Sequence, residues 1–319
     1  MRIRYIIINA LFILIVTSCK NNDTTAVIDN FDCQSVKKLS PRSENLNISI
    51  FLDLSDRISP IRSPNPAMDY WKRDLEYLKS IVGSFQNHIR NKRVSLIDDN
   101  IKLRVHPLPH DVKDINEIIK DLDMHFDKDN ATLDNICSIY PVYMEHVERL
   151  YETMLAQKEP AAQNGNDEYP GSDIFGFFKS NVKDFCIKEG HRNILFILTD
   201  GYEYYRGNTL SKDKDNKSNY ILSKSLGQWG FNASNYQSKL ENEGYGFQLA
   251  TSGLEDLEVY LIGIAPKQSW EQDVLLHYWT NWFQDMGVKN FQDGNGVKYI
   301  KEADLPANID NAIQDFIYQ

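Results

Sequence analysis

The stretch ISIFLDLSDR, residues 48–57, runs from an apolar, strand-like segment into two acids, a hydroxyl and an arginine within five residues. Asp and Ser are common turn residues, so a tight turn after Leu52 explains the polarity. A metal or anion site at the mouth of a sheet explains it equally. Which of the two holds depends on what else the chain brings to that mouth.

Four segments read as buried strands: 48–54, 101–108, 193–199 and 258–265. The third, with Ile194-Leu195-Phe196-Ile197-Leu198, and the fourth, with Val259-Tyr260-Leu261-Ile262-Gly263-Ile264, are nearly continuous apolar runs. Such runs mark strands covered on both faces. Helical stripes at three- and four-residue spacing lie between them. One passes through Met68, Trp71, Leu75, Leu78 and Val82 behind an Asn65-Pro66 cap. A second joins Val112, Ile115, Ile119 and Leu122, and a third joins Ile174, Phe177, Phe178, Val182, Phe185 and Cys186. Ser269 and Gln272 read as a capping box ahead of Leu275, Trp279, Trp282 and Met286. Ile309, Ala312, Ile313, Phe316 and Ile317 form a closing stripe. Strands alternating with helices predict an α/β domain over 46–319, with an open, mostly parallel, Rossmann-like sheet and helices on both faces. Ligands of such sheets bind outside the carboxyl ends of the strands.

The polar residues gather at those ends. Asp53-Leu54-Ser55-Asp56-Arg57 follows the first strand, and Thr199-Asp200-Gly201 follows the third. Pro170-Gly171-Ser172-Asp173 precedes the helix at Ile174. In this order the three pieces resemble the von Willebrand factor A domain, and the resemblance runs from about residue 47 to the C-terminus. That family has Asp-x-Ser-x-Ser at one strand end, a Gly-Thr or Gly-Ser middle loop and a later Thr-Asp-Gly, all converging on one divalent cation. The resemblance implies a metal site of Asp53, Ser55, Ser172 and Asp200 holding Mg²⁺ or another divalent cation, with one position open for a partner's carboxylate. The chemistry is consistent, since magnesium takes a near-octahedral shell of hard oxygens at about 2.1 Å and keeps several waters. Each residue also has a plainer reading: Ser172 as a helix N-cap, Asp200-Gly201 as a turn, Asp53 as a cap.

Arg57 departs from the family pattern, because it stands where the third hydroxyl belongs. A guanidinium is always charged and coordinates no cation. Either it points away from the site, or it replaces the metal by bridging Asp53 and Asp200.

Residues 202–247 form a long insertion after Asp200, rich in Tyr, Trp and Phe among Gly, Asn and Ser. It exceeds an ordinary connection. Exposed aromatics there would make a binding surface; a self-packed subdomain with short helices would account for them equally.

The N-terminus sets the expected compartment. Arg2 and Arg4 precede an apolar run over 5–16 that is short for a spanning helix, and Val16-Thr17-Ser18-Cys19 resembles the bacterial lipobox. This predicts a signal peptide over 1–18, lipidation of Cys19 and a polar tether over 19–45. Acyl chains on Cys19 would hold the protein in the cell envelope without a spanning helix. Lys20 after that cysteine argues against inner-membrane retention, so the expected location is the outer membrane, on its periplasmic or surface face. Loss of Arg2 and Arg4 takes the formal charge from −10 to −12. An acidic chain is a poor partner for nucleic acid. Cys33, Cys137 and Cys186 allow one disulfide of unspecified pairing.

The expected function is a membrane-anchored, non-enzymatic binding module whose partner is a protein or a surface polymer. Its main rival is a metal-dependent hydrolase of phosphatase type, with Asp53 at a strand end and His106, His110 and Asp111 nearby. A metal-free scaffold lipoprotein is the third reading, and Arg57 favours it.

Overall fold

The computed structural model describes residues 33, 43–55, 57–58, 65, 67–163, 169–291, 296–302 and 304–318. In chain order the elements are β1 (Leu46–Leu52), α1 (Tyr70–Arg90), β2 (Asp98–Arg104), α2 (Ile115–Asp121), β3 (Asp123–Asp127) and α3 (Leu133–Gln163). Then come β4 (Gly171–Ser172), α4 (Ile174–Ser180), α5 (Val182–Cys186), β5 (Arg192–Leu198), β6 (Tyr204–Tyr205), β7 (Lys217–Ser218), α6 (Ser223–Gln228) and α7 (Tyr236–Asn242). The last are β8 (Gly246–Phe247), β9 (Leu257–Ile264), α8 (Ser269–Asp285), β10 (Tyr299–Lys301) and α9 (Pro306–Tyr318).

Six strands make one mixed, mostly parallel sheet in the order β10-β9-β5-β1-β2-β3. All neighbours run parallel except β3, which lies antiparallel against β2. The fold is therefore α/β, and the period-2 alternation of the strands divides it into two cores. Ile48, Ile50 and Leu52 of β1 and Ile194, Phe196 and Leu198 of β5 face one way, packing with residues of α1, α3 and α9. Phe51, Leu195 and Ile197 face the other way, into the side chains of α4, α5 and α8. Every residue of β1 and β9 is buried, which is why their sequences are apolar almost without interruption.

Several local expectations need correction. The strand expected at 101–108 is β2, which begins at Asp98 and ends at Arg104, ahead of Pro107. A proline has no N–H to give to a ladder. Asn65 does not cap α1: its Oδ1 accepts from the N–H groups of Ala67 and Met68, and the helix starts at Tyr70. The Ser269–Gln272 capping box does not form either. Gln268 is the N-cap of α8, and the amide of Gln272 donates to the Tyr299 hydroxyl instead. The stripe from Ile174 to Cys186 is two short helices, broken at Asn181.

The insertion holds β6, β7, α6, α7 and β8. Of its nine aromatics four are buried and the other five half-buried. Phe231 and Tyr245 are buried with ring centroids 4.7 Å apart, and Phe247 lies within 5.2 Å of the rings of Tyr278, Trp279 and Trp282. A self-packed subdomain is what the residues build, rather than an exposed aromatic surface.

A disulfide joins Cys33 to Cys137, and Cys186 is a free, buried thiol. No helix among the described residues is long and apolar enough to cross a membrane. The signal peptide, Cys19 and most of the tether lie outside the described residues.

Candidate functional site

Asp53 directly follows β1, and its N–H still donates to Leu198 O of β5 at 3.0 Å. That bond carries the strand pairing one residue past the strand, so the side chain is fixed at the carboxyl edge of two neighbouring parallel strands. Oδ1 accepts from the Ser55 N–H at 2.9 Å, closing a local turn, and Oδ2 accepts from the Thr199 hydroxyl at 2.9 Å. The carboxyl is 2% exposed. Burial pushes its pKa up, against the charge of Arg57 and the bonds from Ser55 and Thr199.

Ser55 and Ser172 clasp the first and middle loops together. Ser55 Oγ accepts from the Ser172 N–H at 3.2 Å, and Ser172 Oγ accepts from the Leu54 N–H at 3.0 Å. The plainer reading of Ser172 as a helix cap does not hold, because Asp173 caps α4 and accepts from the Gly176 N–H at 2.7 Å. Gly171 is obligatory here. It sits at φ +99°, and a Cβ would stand 2.3 Å from Tyr204 O on the paired strand β6.

Asp200 follows β5 and is half-buried; its Oδ1 accepts from the Tyr202 N–H at 3.0 Å and its carbonyl from the Ala265 N–H at 2.9 Å. The turn expected at Asp200-Gly201 is therefore present. It also places the carboxylate beside Thr199, whose hydroxyl binds Asp53. Asp53, Ser55, Ser172 and Asp200 thus gather at one sheet edge.

Of the two orientations expected for Arg57, away from the site or bridging Asp53 and Asp200, the side chain turns to α1. Its Nε donates to Asp74 Oδ2 of α1 at 3.1 Å, and both side chains are 2% exposed. Nη1 reaches Ser55 O at 3.4 Å, the Tyr70 ring lies 5.8 Å away, and Nη2 is 3.6 Å from where a Cβ on Gly263 of β9 would stand. Tyr151 of α3 donates a second bond to Asp74 Oδ2 at 2.7 Å. Burial opposes the guanidinium's charge, but Asp74, Asp53 and Asp200 outweigh it and the pKa moves up. Arg57 is thus an internal cation set among three carboxylates.

This set fits a divalent ion poorly. Magnesium keeps several waters in its shell, yet Asp53 and Ser172 are 2% and 1% exposed. Both oxygens of Asp53 and both serine hydroxyls already accept protein hydrogen bonds. Arg57 brings a positive charge close enough for Asp53 and Asp200 to raise its pKa. Among the described residues no group of three or more His, Cys, Asp or Glu is arranged to hold a metal.

Sequence reasoning passed over Asp74, Tyr151 and Glu203. Asp74 had a signal, as a charge embedded in the apolar stripe of α1 between Trp71 and Leu75. Glu203 is 2% exposed; Oε1 accepts from the Phe175 N–H at 3.1 Å, while Oε2 is buried without a hydrogen-bond partner. Burial, with Asp53 and Asp173 adding to it, raises its pKa well above the carboxylate range. Of the residues weighed for hydrolysis, His110 and Asp111 are exposed, and His106 meets the middle loop through its carbonyl, which accepts from the Asp173 N–H at 2.8 Å.

No family model and no curated protein matches this chain.

Proposed function

We propose that this chain is a lipid-anchored binding module of the von Willebrand A type, held in the cell envelope through Cys19, with a protein or a surface polymer as its partner. The observation that carries the reading is the reciprocal Ser55–Ser172 clasp beside the Asp53–Thr199 bond. It ties the loop after β1 to the loop before α4 beside the end of β5, which supports a recognition mouth at that edge. In this reading Arg57 stands in for the cation. The module then binds through the shape and polarity of its mouth, not through a metal-held carboxylate. The hydroxyl of Ser55 accepts from the Ser172 N–H and that of Ser172 from the Leu54 N–H, a structural use of both serines that favours this over hydrolysis.

Two measurements test it on the full chain in native membranes. Cys19→Ala is expected to move the protein out of the membrane fraction, and persistent, processed membrane attachment of that variant overturns the anchor. A photo-crosslinking residue at Tyr205, beside the middle loop, is expected to give one discrete adduct that Asp200→Arg abolishes. An adduct unchanged by Asp200→Arg, or no adduct at all, overturns the binding mouth.

A further inference from the structure

The tether joins the domain at one edge. Cys33 is bonded to Cys137, in the second turn of α3, and the carbonyl of Glu44 accepts from Lys92 Nζ at 3.1 Å. Both points lie at the amino-terminal edge of the parallel strands. α1 ends there, since Lys92 also reaches Asp99 of β2 at 2.6 Å. α3 begins there, because the antiparallel β3 returns the chain from the carboxyl edge with Asp127 opposite Asp98. The Arg90 guanidinium lies 3.6 Å from Cys137 Sγ, closing the two helix ends together.

The same edge carries exposed apolar side chains. Among the described residues seven large hydrophobics are exposed, and three of them, Val94, Leu96 and Leu133, are found here at 52%, 45% and 59%. Val94 and Leu133 line one shallow groove with Ile89, Ile97, Ala131 and Ile136. Arg93 and Lys128 are exposed beside them, as are Asp129 and Asp134. Local charge is therefore balanced, and apolar contact decides what the edge meets.

Resting on the lipid-anchor reading, we infer that this edge, marked by Val94, Leu96 and Leu133 beside the Cys33–Cys137 disulfide, is the surface the domain lays against the lipid bilayer. The length of the tether argues for that occupant. Cys19 and Cys33 are 14 residues apart, which limits their separation to about 50 Å. A lipid on Cys19 would therefore draw the domain to the membrane by this edge, where Cys33 is fastened. Exposed Val and Leu side chains on that edge can enter the acyl boundary without a dedicated pocket. The mouth at Asp53, Ser172 and Asp200 then faces away from the membrane, toward a partner.

The test uses the full lipidated chain in native membranes, with a photo-crosslinking residue at 94, 96 or 133, or at Leu305. Leu305 follows β10 at the opposite edge and is 68% exposed. Lipid adducts from 94, 96 and 133 and none from 305 are expected. Lipid adducts from 305 with none from the other three overturn the orientation while leaving the anchor standing. Adducts from 94, 96 and 133 to a second protein instead of lipid also overturn it. Recovery of the wild-type chain only in the soluble fraction removes the anchor itself, and this inference with it.

Discussion

Arg57 Nε and Asp74 Oδ2 lie 3.1 Å apart with both side chains 2% exposed, so a loop at the end of β1 is locked to the first turns of α1 by a fully buried ion pair. Removing one member of such a pair leaves an uncompensated buried charge, a loss of about 3–5 kcal/mol. Arg57→Ser is therefore expected to destabilise the domain by that order in urea unfolding. Arg57→Met combined with Asp74→Leu is expected to recover most of the loss. A double variant as unstable as the single one would show that the pair does more than neutralise itself.

The same arginine makes the response to metal informative. A divalent ion at a hundred times its dissociation constant would stabilise the fold by about 2.7 kcal/mol. Wild-type melts in chelator and in millimolar Mg²⁺ are expected to coincide, because Arg57 already brings a positive charge close to Asp53 and Asp200. A clear rise in Tm with Mg²⁺ would restore a cation to the mouth. In Arg57→Ser, by contrast, Mg²⁺ is expected to return part of the lost stability.

The serine clasp has its own cost when opened. Ser172→Ala leaves the buried N–H of Leu54 without its acceptor, and an unsatisfied buried group costs about 1–3 kcal/mol. Ser172→Thr keeps the oxygen and is expected to cost less. Equal losses in the two variants would mean that packing, not the hydrogen bond, sets the value.

Glu203 predicts a pH dependence. Its folded pKa is raised by burial, so the folded state binds its proton more tightly than the unfolded state does. The stabilisation is complete below the ordinary carboxyl pKa and is lost as pH rises from there through the raised value. Glu203→Gln is expected to flatten that fall and to be more stable than wild type at the alkaline end. Parallel stability curves for the two proteins from pH 4 upward would refute it.

The Cys33–Cys137 bridge spans 104 residues, and chain-entropy reasoning gives about 4.7 kcal/mol for a loop of this order. Cys33→Ser is expected to lose much of that in urea unfolding, with no change in the number of thiols reactive in the native state beyond Cys137. Unchanged stability would place the bridge outside the cooperative unit.

How much of this was written in the residues depends on burial. The strands at Ile48, Ile194 and Val259 were legible because a strand covered on both faces has nowhere to put a polar side chain. The edge strands β3 (DMHFD) and β10 (YIK) were not, since one flank faces solvent and only Phe126 and Ile300 are buried. α3 was missed entirely, although at 31 residues it is the longest helix described; Pro141 and Pro160 interrupt the signal within it. At the site, strand-end position pointed to Asp53, Ser55, Ser172 and Asp200. The partner of Arg57 could not be read that way, because Asp74 approaches from a helix whose docking only the three-dimensional fold decides. The burial of four of the insertion's aromatics is of the same kind: Tyr and Phe look alike in sequence whether they meet a partner or Trp282.

The reversal at β3 has a consequence for height. β3 brings the chain back to the lower edge, and α3 climbs from there by about 46 Å at 1.5 Å per residue. A seven-residue strand such as β1 rises only about 23 Å. The helix is therefore about twice as long as the strands beside it. Tyr151, which α3 brings to Asp74 and so to the seat of Arg57, comes twelve residues before the helix ends. Trimming whole turns beyond Tyr151 would therefore shorten α3 without touching the bond that helps to seat Arg57.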